Sequence, residues 1–244
     1  MRAVSILLKK ELKENLTSPL YYILCGLFTF SVGVFFYMNL TNSHNLTTIT
    51  LRDSVLRPIF GNMNLILLFI TPILTMRALS SERRDGTLDI LLLSKLTQFQ
   101  IILSKFLSNL ILIIFMLVPT LIFPIILSFS GLDDWALVFS NYFGLILTIA
   151  CYVAIGIFAS GLTENPVIAA VITFFFLIGM IILVMVGAST HNMIINSMFQ
   201  YLSTPFHFEG FSRGMIKSYS LIYYMSFIGL FLYLGNTTLE KRKW

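Results

Sequence analysis

The segment "SSERRDGTLDILLLSKL" (Ser80–Leu96) stands between two apolar runs, "NLILLFITPILTM" (Asn64–Met76) before it and "NLILIIFMLVPTLIF" (Asn109–Phe123) after it. Neither flank shows the apolar–polar alternation of a half-buried strand, and each extends into a stretch long enough to cross hydrocarbon as a helix. In the middle, Glu82, Arg83, Arg84 and Asp85 follow one another. Burying these four charges in a bilayer would cost about 10 kcal/mol if the per-residue insertion figures add. The segment therefore reads as a charged knuckle outside the membrane between two spanning helices. That reading sets the fold class.

Composition agrees with it. The chain is 57% hydrophobic and 11% charged, with a mean hydropathy of +0.88, too few charges for the polar surface of a water-soluble domain. Its Phe, Leu and Ile runs lack the dyad repeat of a membrane β-barrel. The expectation is an all-α integral membrane protein forming one transmembrane domain over residues 1–244. Six segments reach the roughly 20 apolar residues a span needs: Leu20–Leu40, Ile59–Leu79, Phe106–Phe129, Trp135–Leu162, Val167–Ala188 and Tyr219–Leu239. Pro72, Pro119 and Pro124 fall inside spans and are expected to kink them. The N-terminus reads as uncleaved, because the first apolar run has full spanning length and no small-residue cleavage site.

Charge orients the chain. With six spans, both termini share a side with residues 80–105 and with the link Thr163–Pro166. That side carries twelve of the sixteen Lys and Arg residues, leaving Arg52, Arg57, Arg213 and Lys217 opposite. The bias places both termini and the knuckle in the cytoplasm. The net charge of +5 comes from residues clustered at the ends of apolar runs, so it points to orientation and anionic headgroups, not to nucleic acid. Before the first span, Val4, Leu7, Leu8, Leu12 and Leu16 form one stripe and Lys9, Lys10, Lys13 and Glu14 fill the other side. Residues 2–16 are thus expected to form an amphipathic helix in the membrane interface. On the outer side, residues 189–218 mix aromatic and polar side chains and are read as short surface helices, either lipid-contacting or a gate.

Several chemistries are missing. No phosphate loop of the G-x-x-x-x-G-K-[ST] type, no H-E-x-x-H and no G-x-S-x-G occurs. His44, His191 and His207 lie in the outer loops without metal-ligand spacing and read as ordinary loop histidines. Cys25 and Cys151 sit in apolar runs and behave as small hydrophobes. Ionisable residues occur only near span ends, which argues against a self-energised carrier. Asn141, Thr148 and Thr173 are scattered along the spans and read as helix-packing contacts, not as the convergent site of a channel or hydrolase. Within the knuckle, Gly86 supplies a break, and Leu88, Leu91 and Leu92 then follow helical spacing. Charges beside a short apolar stripe make a docking surface.

The residues "ERRDGTLDILLLSKLTQFQIILSKFL" (Glu82–Leu107) resemble the signature region of the type-2 ABC exporter permeases: a Glu-Arg pair, then Gly-Thr-Leu-Glu-x-Leu-Leu, leading into an "IxxGK" span entry. Glu82, Arg83, Gly86, Thr87, Leu88, Leu91, Leu92, Ile101, Ile102 and Lys105 match, while Asp89 stands for Glu, Lys95 for a common Pro and Ser104 for a common Gly. "SGLTENPVIAAVITF" (Ser160–Phe174) is similar to the family's link between its fourth and fifth spans, and "HFEGFSRGMIKSYSLIYYMS" (His207–Ser226) resembles the gliding-motility subgroup, with Lys217 replacing a frequent acid. The resemblance implies an exporter half in a bacterial cytoplasmic membrane that pairs with a second permease chain, identical or related, and with two copies of a separate ABC ATPase. ATP and magnesium would sit on that ATPase, and this chain would do no bond chemistry. It further implies that Glu82, Arg83, Arg84, Gly86, Thr87, Leu88 and Asp89 couple to the ATPase, with Lys9, Lys10, Lys13 and Glu164 bordering the contact. A non-transporting scaffold or assembly factor, using the same ATPase for mechanical work, stays open as the alternative.

Overall fold

The computed structural model describes residues 2–42, 51–88, 97–129, 134–189 and 193–240. Among these residues the chain consists of helices and short connections: α1 (Arg2–Thr17), α2 (Pro19–Asn42), a π-helical turn (Leu51–Leu56), α3 (Arg57–Thr75), α4 (Arg77–Arg84), α5 (Gln98–Leu117), a 3-10 turn (Val118–Leu121), α6 (Ile122–Phe129), α7 (Trp135–Leu162), α8 (Pro166–Ser189), α9 (Met193–Leu202), α10 (Thr204–Ser212) and α11 (Ser218–Glu240). Six helical stretches among the described residues are long and apolar enough to cross a membrane: Pro19–Thr41, Ser54–Arg84, Gln98–Phe129, Trp135–Leu162, Pro166–Gly187 and Ser218–Glu240. The molecule is an all-α membrane protein.

The second and third spans differ from the ranges expected from sequence. The second runs from Ser54 to Arg84, 31 residues, about 46 Å at 1.5 Å per residue, against a hydrocarbon core of about 30 Å. The third begins at Gln98, eight residues ahead of Phe106. Hydropathy marks where a helix leaves the hydrocarbon, not where the helix ends. Residues 80–105 therefore do not form a loop throughout: Ser80–Arg84 is helical and so is Gln98–Lys105. The start of α5 is fixed by a capping box, in which the Gln100 amide donates to Thr97 Oγ1 at 3.3 Å and the Thr97 amide to Gln100 Oε1 at 3.1 Å. Asp89, Leu91 and Leu92 lie outside the described residues.

Of the three span prolines, two lie next to an interruption in the helix, and Pro124 lies inside α6. Pro72 lies one turn before the junction of α3 and α4, and Pro119 lies in the 3-10 turn that separates α5 from α6. Thr120 in that turn donates to the Leu117 carbonyl at 2.6 Å and lies 3.0 Å from the Tyr142 hydroxyl of α7, which ties the broken helix to its neighbour.

The centre of the bundle is α7. Leu145, Ile149, Cys151, Val153, Ala154, Ile155, Ile157 and Ala159 are all fully buried on it, so it is a helix apolar on every side, enclosed by the others. One stripe of α7, at four-residue spacing, meets the second span. Tyr152 donates to Asn64 Oδ1 at 3.1 Å. Gly156 lies so close to Thr75 that a Cβ on it would collide with that side chain. Ser160 reaches the α3–α4 junction, where its Oγ accepts from the amides of Leu79 and Ser80 at 2.9 and 3.0 Å and donates to the Met76 carbonyl at 3.0 Å. The two helices meet at Met76, and a hydroxyl from the central helix bonds two amides just beyond that junction. The three scattered span polars behave as packing groups: Asn141, Thr148 and Thr173 each donate to the carbonyl four residues earlier at 2.8, 2.9 and 2.8 Å.

The two ends of the bundle differ. One carries α1, α4 and the link from α7 to α8. The other carries the π-helical turn, α9 and α10. There α10 plugs against α7: Ser140 Oγ donates to the Phe211 carbonyl at 3.1 Å, and a Cβ on Gly144 would lie 2.6 Å from Phe211 Cβ. Residues 193–202 and 204–212 are thus short helices, as the aromatic and polar mixture implied.

Filling the closest helix approach should be costly. Gly156→Val forces α3 and α7 apart and is expected to lose about 1–3 kcal/mol, read as a lower midpoint of thermal unfolding in detergent. Gly26→Val, where no heavy atom lies within 4 Å, is expected to leave the midpoint nearly unchanged.

Candidate functional site

Two adjacent residues of α4 point in different directions and hold different parts of the bundle. Glu82 points to the side where α1 crosses α5. There Lys105, the eighth residue of α5, is almost wholly buried, and its Nζ lies 2.8 Å from Glu11 Oε1 and 2.9 Å from Glu82 Oε1. One ammonium thus joins the first helix, the tip of the second span and the third span. A buried ammonium is tolerable only when carboxylates and hydrogen bonds replace its water. Two of its three donors are taken by carboxylates from different elements, while Glu82 Oε2 is buried without a hydrogen-bond partner. One turn on, Asn109 Nδ2 donates to the Lys105 carbonyl at 2.8 Å.

Arg83 points the other way. Its Nη1 donates to the Gly161 carbonyl, and its Nε lies 3.8 Å from Glu164 Oε1. Gly161 sits in the last turn of α7, where carbonyls lack helical partners and the helix dipole favours a cation. The guanidinium therefore caps α7 and draws the link to α8 against α4. The Arg83 side chain is 10% exposed and that of Glu164 61%, so the capping bond to the carbonyl, not the surface ion pair, carries the attachment.

Beyond Arg83 the helix opens to solvent. Arg84 and Asp85 pair at 3.2 Å with both side chains more than half exposed. Gly86 has φ 68°, a left-handed conformation that ends a helix and favours glycine. Thr87 Oγ1 donates back to the Glu82 carbonyl at 3.3 Å, and Leu88 turns inward and is buried. Arg84, Asp85, Gly86 and Thr87 thus form an exposed tip, backed by Glu82, Arg83 and Leu88. Of the seven residues singled out in the sequence, Arg84, Gly86 and Thr87 lie on the protruding edge and Glu82, Arg83 and Leu88 in the anchored base, while Asp89 lies outside the described residues.

On α1, Lys9, Lys10 and Lys13 are exposed. The helix turns Leu7 and Glu11 to the protein, with Val4, Leu8, Leu12 and Leu16 flanking them half-buried. The stripe centre is therefore rotated from the apolar face expected, because Lys105 draws a carboxylate into the middle of it. Sequence reasoning missed Glu11, Lys105 and Ser160 as structural joints. Glu11 stands four residues after Leu7 on the apolar face, and Lys105 is the one basic residue between Gln98 and Phe129. Those were the available signals.

The chain matches the family model described as "ABC-2 family transporter protein" over residues 5–226. It belongs to that family. The protein is accordingly a transmembrane permease of the ABC-2 class. A comparison with curated proteins gives no match. The matched residues take in α1 from its fourth position, α4, the ion cluster around Lys105 and the α7–α8 link.

A second buried polar centre lies at the far end. His207, expected as a loop histidine, is instead in the middle of α10 and 2% exposed. Its Nδ1 lies 3.1 Å from Ser220 Oγ and its Nε2 3.0 Å from the Tyr201 carbonyl, and its ring stacks on Tyr223 with centroids 4.0 Å apart. The correction has a physical cause: Thr204–Ser212 folds as a helix whose inner face includes position 207, so the imidazole replaces water with a hydroxyl and a carbonyl. Burial pushes its pKa below 6.5, opposed by the bond to Tyr201. His44 and His191 lie outside the described residues.

Lys105→Met should leave Glu11 and Glu82 buried without their cation and cost about 3–5 kcal/mol, measured as the drop in unfolding free energy in mixed micelles. Adding Glu11→Gln and Glu82→Gln is expected to recover most of that loss. For His207, the depressed folded pKa means the neutral ring favours the folded state. That contribution is complete above 6.5 and is lost as pH falls from there through the lower folded value. Thermal midpoints should therefore drop between about pH 7.5 and about pH 5, and drop less in His207→Asn.

Proposed function

We propose that this chain is the membrane subunit of an ATP-driven exporter and that α4 receives the stroke of a separate ABC ATPase. The observation that carries the reading is the opposed attachment of Glu82 and Arg83. A force on the exposed tip at Arg84–Thr87 passes through Glu82 to Lys105, and so to α1 and the third span. It passes equally through Arg83 and the Ser160 bonds to the fourth and fifth spans. A lever anchored on both sides converts a local push into relative displacement of two helix groups, which a closed loop without such anchors could not do.

In this reading the termini and the tip of α4 face the cytoplasm, as the distribution of Lys and Arg supports. A second permease chain completes the assembly, and two ATPases bind, one beneath each permease. Nucleotide-driven closure of the ATPases favours one packing of the spans and release favours the other, so that ATP shifts a population between inward- and outward-facing forms. The roles divide with exposure: Arg84, Asp85, Gly86 and Thr87 meet the ATPase, with Lys9, Lys10 and Lys13 of α1 beside them, and Arg83 and Glu82 transmit.

The division is testable. Arg84→Glu should weaken copurification with the cognate ATPase by about tenfold, as loss of a charged contact implies, with no change in thermal stability. Arg83→Gln should leave ATPase binding intact yet separate hydrolysis from substrate movement in reconstituted vesicles. If Arg83→Gln transports normally, or if Arg84→Glu binds normally, the lever assignment fails.

A further inference from the structure

At the far end of the bundle, the start of α10 is held less completely than its end. The end is joined to α7 through Ser140 and the close approach of Gly144 to Phe211. At the start, Ser203 is fully buried yet makes no side-chain cap bond to the helix, and its Oγ donates back to the Gln200 carbonyl at 2.7 Å. The next residue, Thr204, is 1% exposed, and its Oγ1 is buried with no hydrogen-bond partner. Its carbonyl receives only a long bond, 3.4 Å, from Tyr224 Oη of α11.

An orphan hydroxyl is an exception in this chain. Among the described residues, every other buried Ser or Thr hydroxyl has a partner, most of them the carbonyl three or four residues earlier. Away from water such a group destabilises the packing that contains it. The neighbour able to bond it is committed elsewhere. Tyr152 of α7 lies near enough to interact with Thr204, but the two hydroxyls are not aligned as a hydrogen bond. Instead Tyr152 Oη donates to Asn64 Oδ1 of α3 at 3.1 Å. An amide oxygen only accepts, so the single phenolic proton is spent on Asn64. Asn64 belongs to the helical stretch Ser54–Arg84, whose other end is α4. One hydroxyl on the central helix thus stands between an acceptor on the lever's own span and an unused hydroxyl at the root of α10.

We propose that Tyr152 is a two-position contact, bonding Asn64 in the present packing and Thr204 when the second span moves. Drawing Asn64 away turns the phenolic proton to Thr204 Oγ1, which fixes the start of α10 to the central helix. Both packings then leave the phenol bonded, and the second also fills the orphan at Thr204. Movement of the second span at one end of the bundle becomes tightening of α10 at the other, a shift between two discrete arrangements. The inference rests on the lever reading only for what moves the second span. The exchange of partners itself needs no ATPase and is tested without one.

The test uses the full chain in nanodiscs, with hydrogen exchange followed on α10 and on α5. Asn64→Leu removes the acceptor at similar volume. Tyr152 should then turn to Thr204, and exchange across Thr204–Ser212 should slow about tenfold, equivalent to about 1.4 kcal/mol, while α5 exchanges as before. Adding Thr204→Val should abolish the slowing. Unchanged or faster exchange of α10 in Asn64→Leu would overturn the proposal, as would slowing that survives Thr204→Val. A second measurement does not depend on Asn64. Thr204→Val alone removes an unbonded hydroxyl and should keep or raise the thermal midpoint, whereas Thr148→Val, which loses the 3.0 Å contact with Tyr224 Oη, should lower it. A lower midpoint in Thr204→Val would mean that this hydroxyl is already bonded, and the proposal would fall. Either failure leaves the attachments of Glu82 and Arg83 standing, while normal transport by Arg83→Gln would remove the lever without touching this exchange.

Discussion

One ammonium organises the end of the molecule that carries α1, α4 and the α7–α8 link. Lys105 is buried between Glu11 and Glu82, and each partner belongs to a different helix. Removing the charge from water is costly, and the cost is offset only while both carboxylates stay in place. The arrangement therefore fixes α1 across α5 and the tip of the second span beside them far more specifically than apolar contact would. Leucine packing tolerates sliding; two charge-assisted bonds at 2.8 and 2.9 Å do not. The tilt of α4 and the presentation of Arg84 to Thr87 follow from that constraint.

The opposite side of α4 is held by different physics. Ser160 and Gly156 on α7 let the central helix approach the α3–α4 junction closely, and the Ser160 hydroxyl accepts from the Leu79 and Ser80 amides beside it. Arg83 then caps the end of α7. Two residues in succession, on different faces of one helix, join the outer helices and the central ones. This adjacency is the structural basis for reading α4 as a lever, and it explains why the charges of the knuckle are consecutive: neighbouring positions on a helix point about 100° apart.

Much of this was legible in the sequence, and the rest fails for identifiable reasons. Six spans follow from runs of apolar residues, although the start of α5, fixed by Thr97 and Gln100, lies eight residues ahead of the point where hydropathy begins the third span. The knuckle was readable as polar and exposed, but its helical character was not, because hydropathy reports the edge of the bilayer and Ser80–Arg84 stands beyond it. Lys105 was visible as a cation in an apolar helix, yet its partners lie 94 and 23 positions away in sequence, and no local pattern pairs them. His207 looked like a loop residue because its segment is short and mixed. Only the packing of α10 on α11 turns it inward. Local rules identified elements, whereas the joints between elements needed three dimensions.

The account rests on two separate attachments meeting at α4, and spin-label distances test it directly. In a chain lacking Cys25 and Cys151, labels at Arg84 and Lys13 report on the attachment through Lys105, and labels at Arg84 and Val167 report on the one through Arg83. Lys105→Met should broaden the first distance distribution and leave the second narrow; Arg83→Gln should do the reverse. Distributions that broaden together in either variant, or in neither, would contradict the two-sided lever.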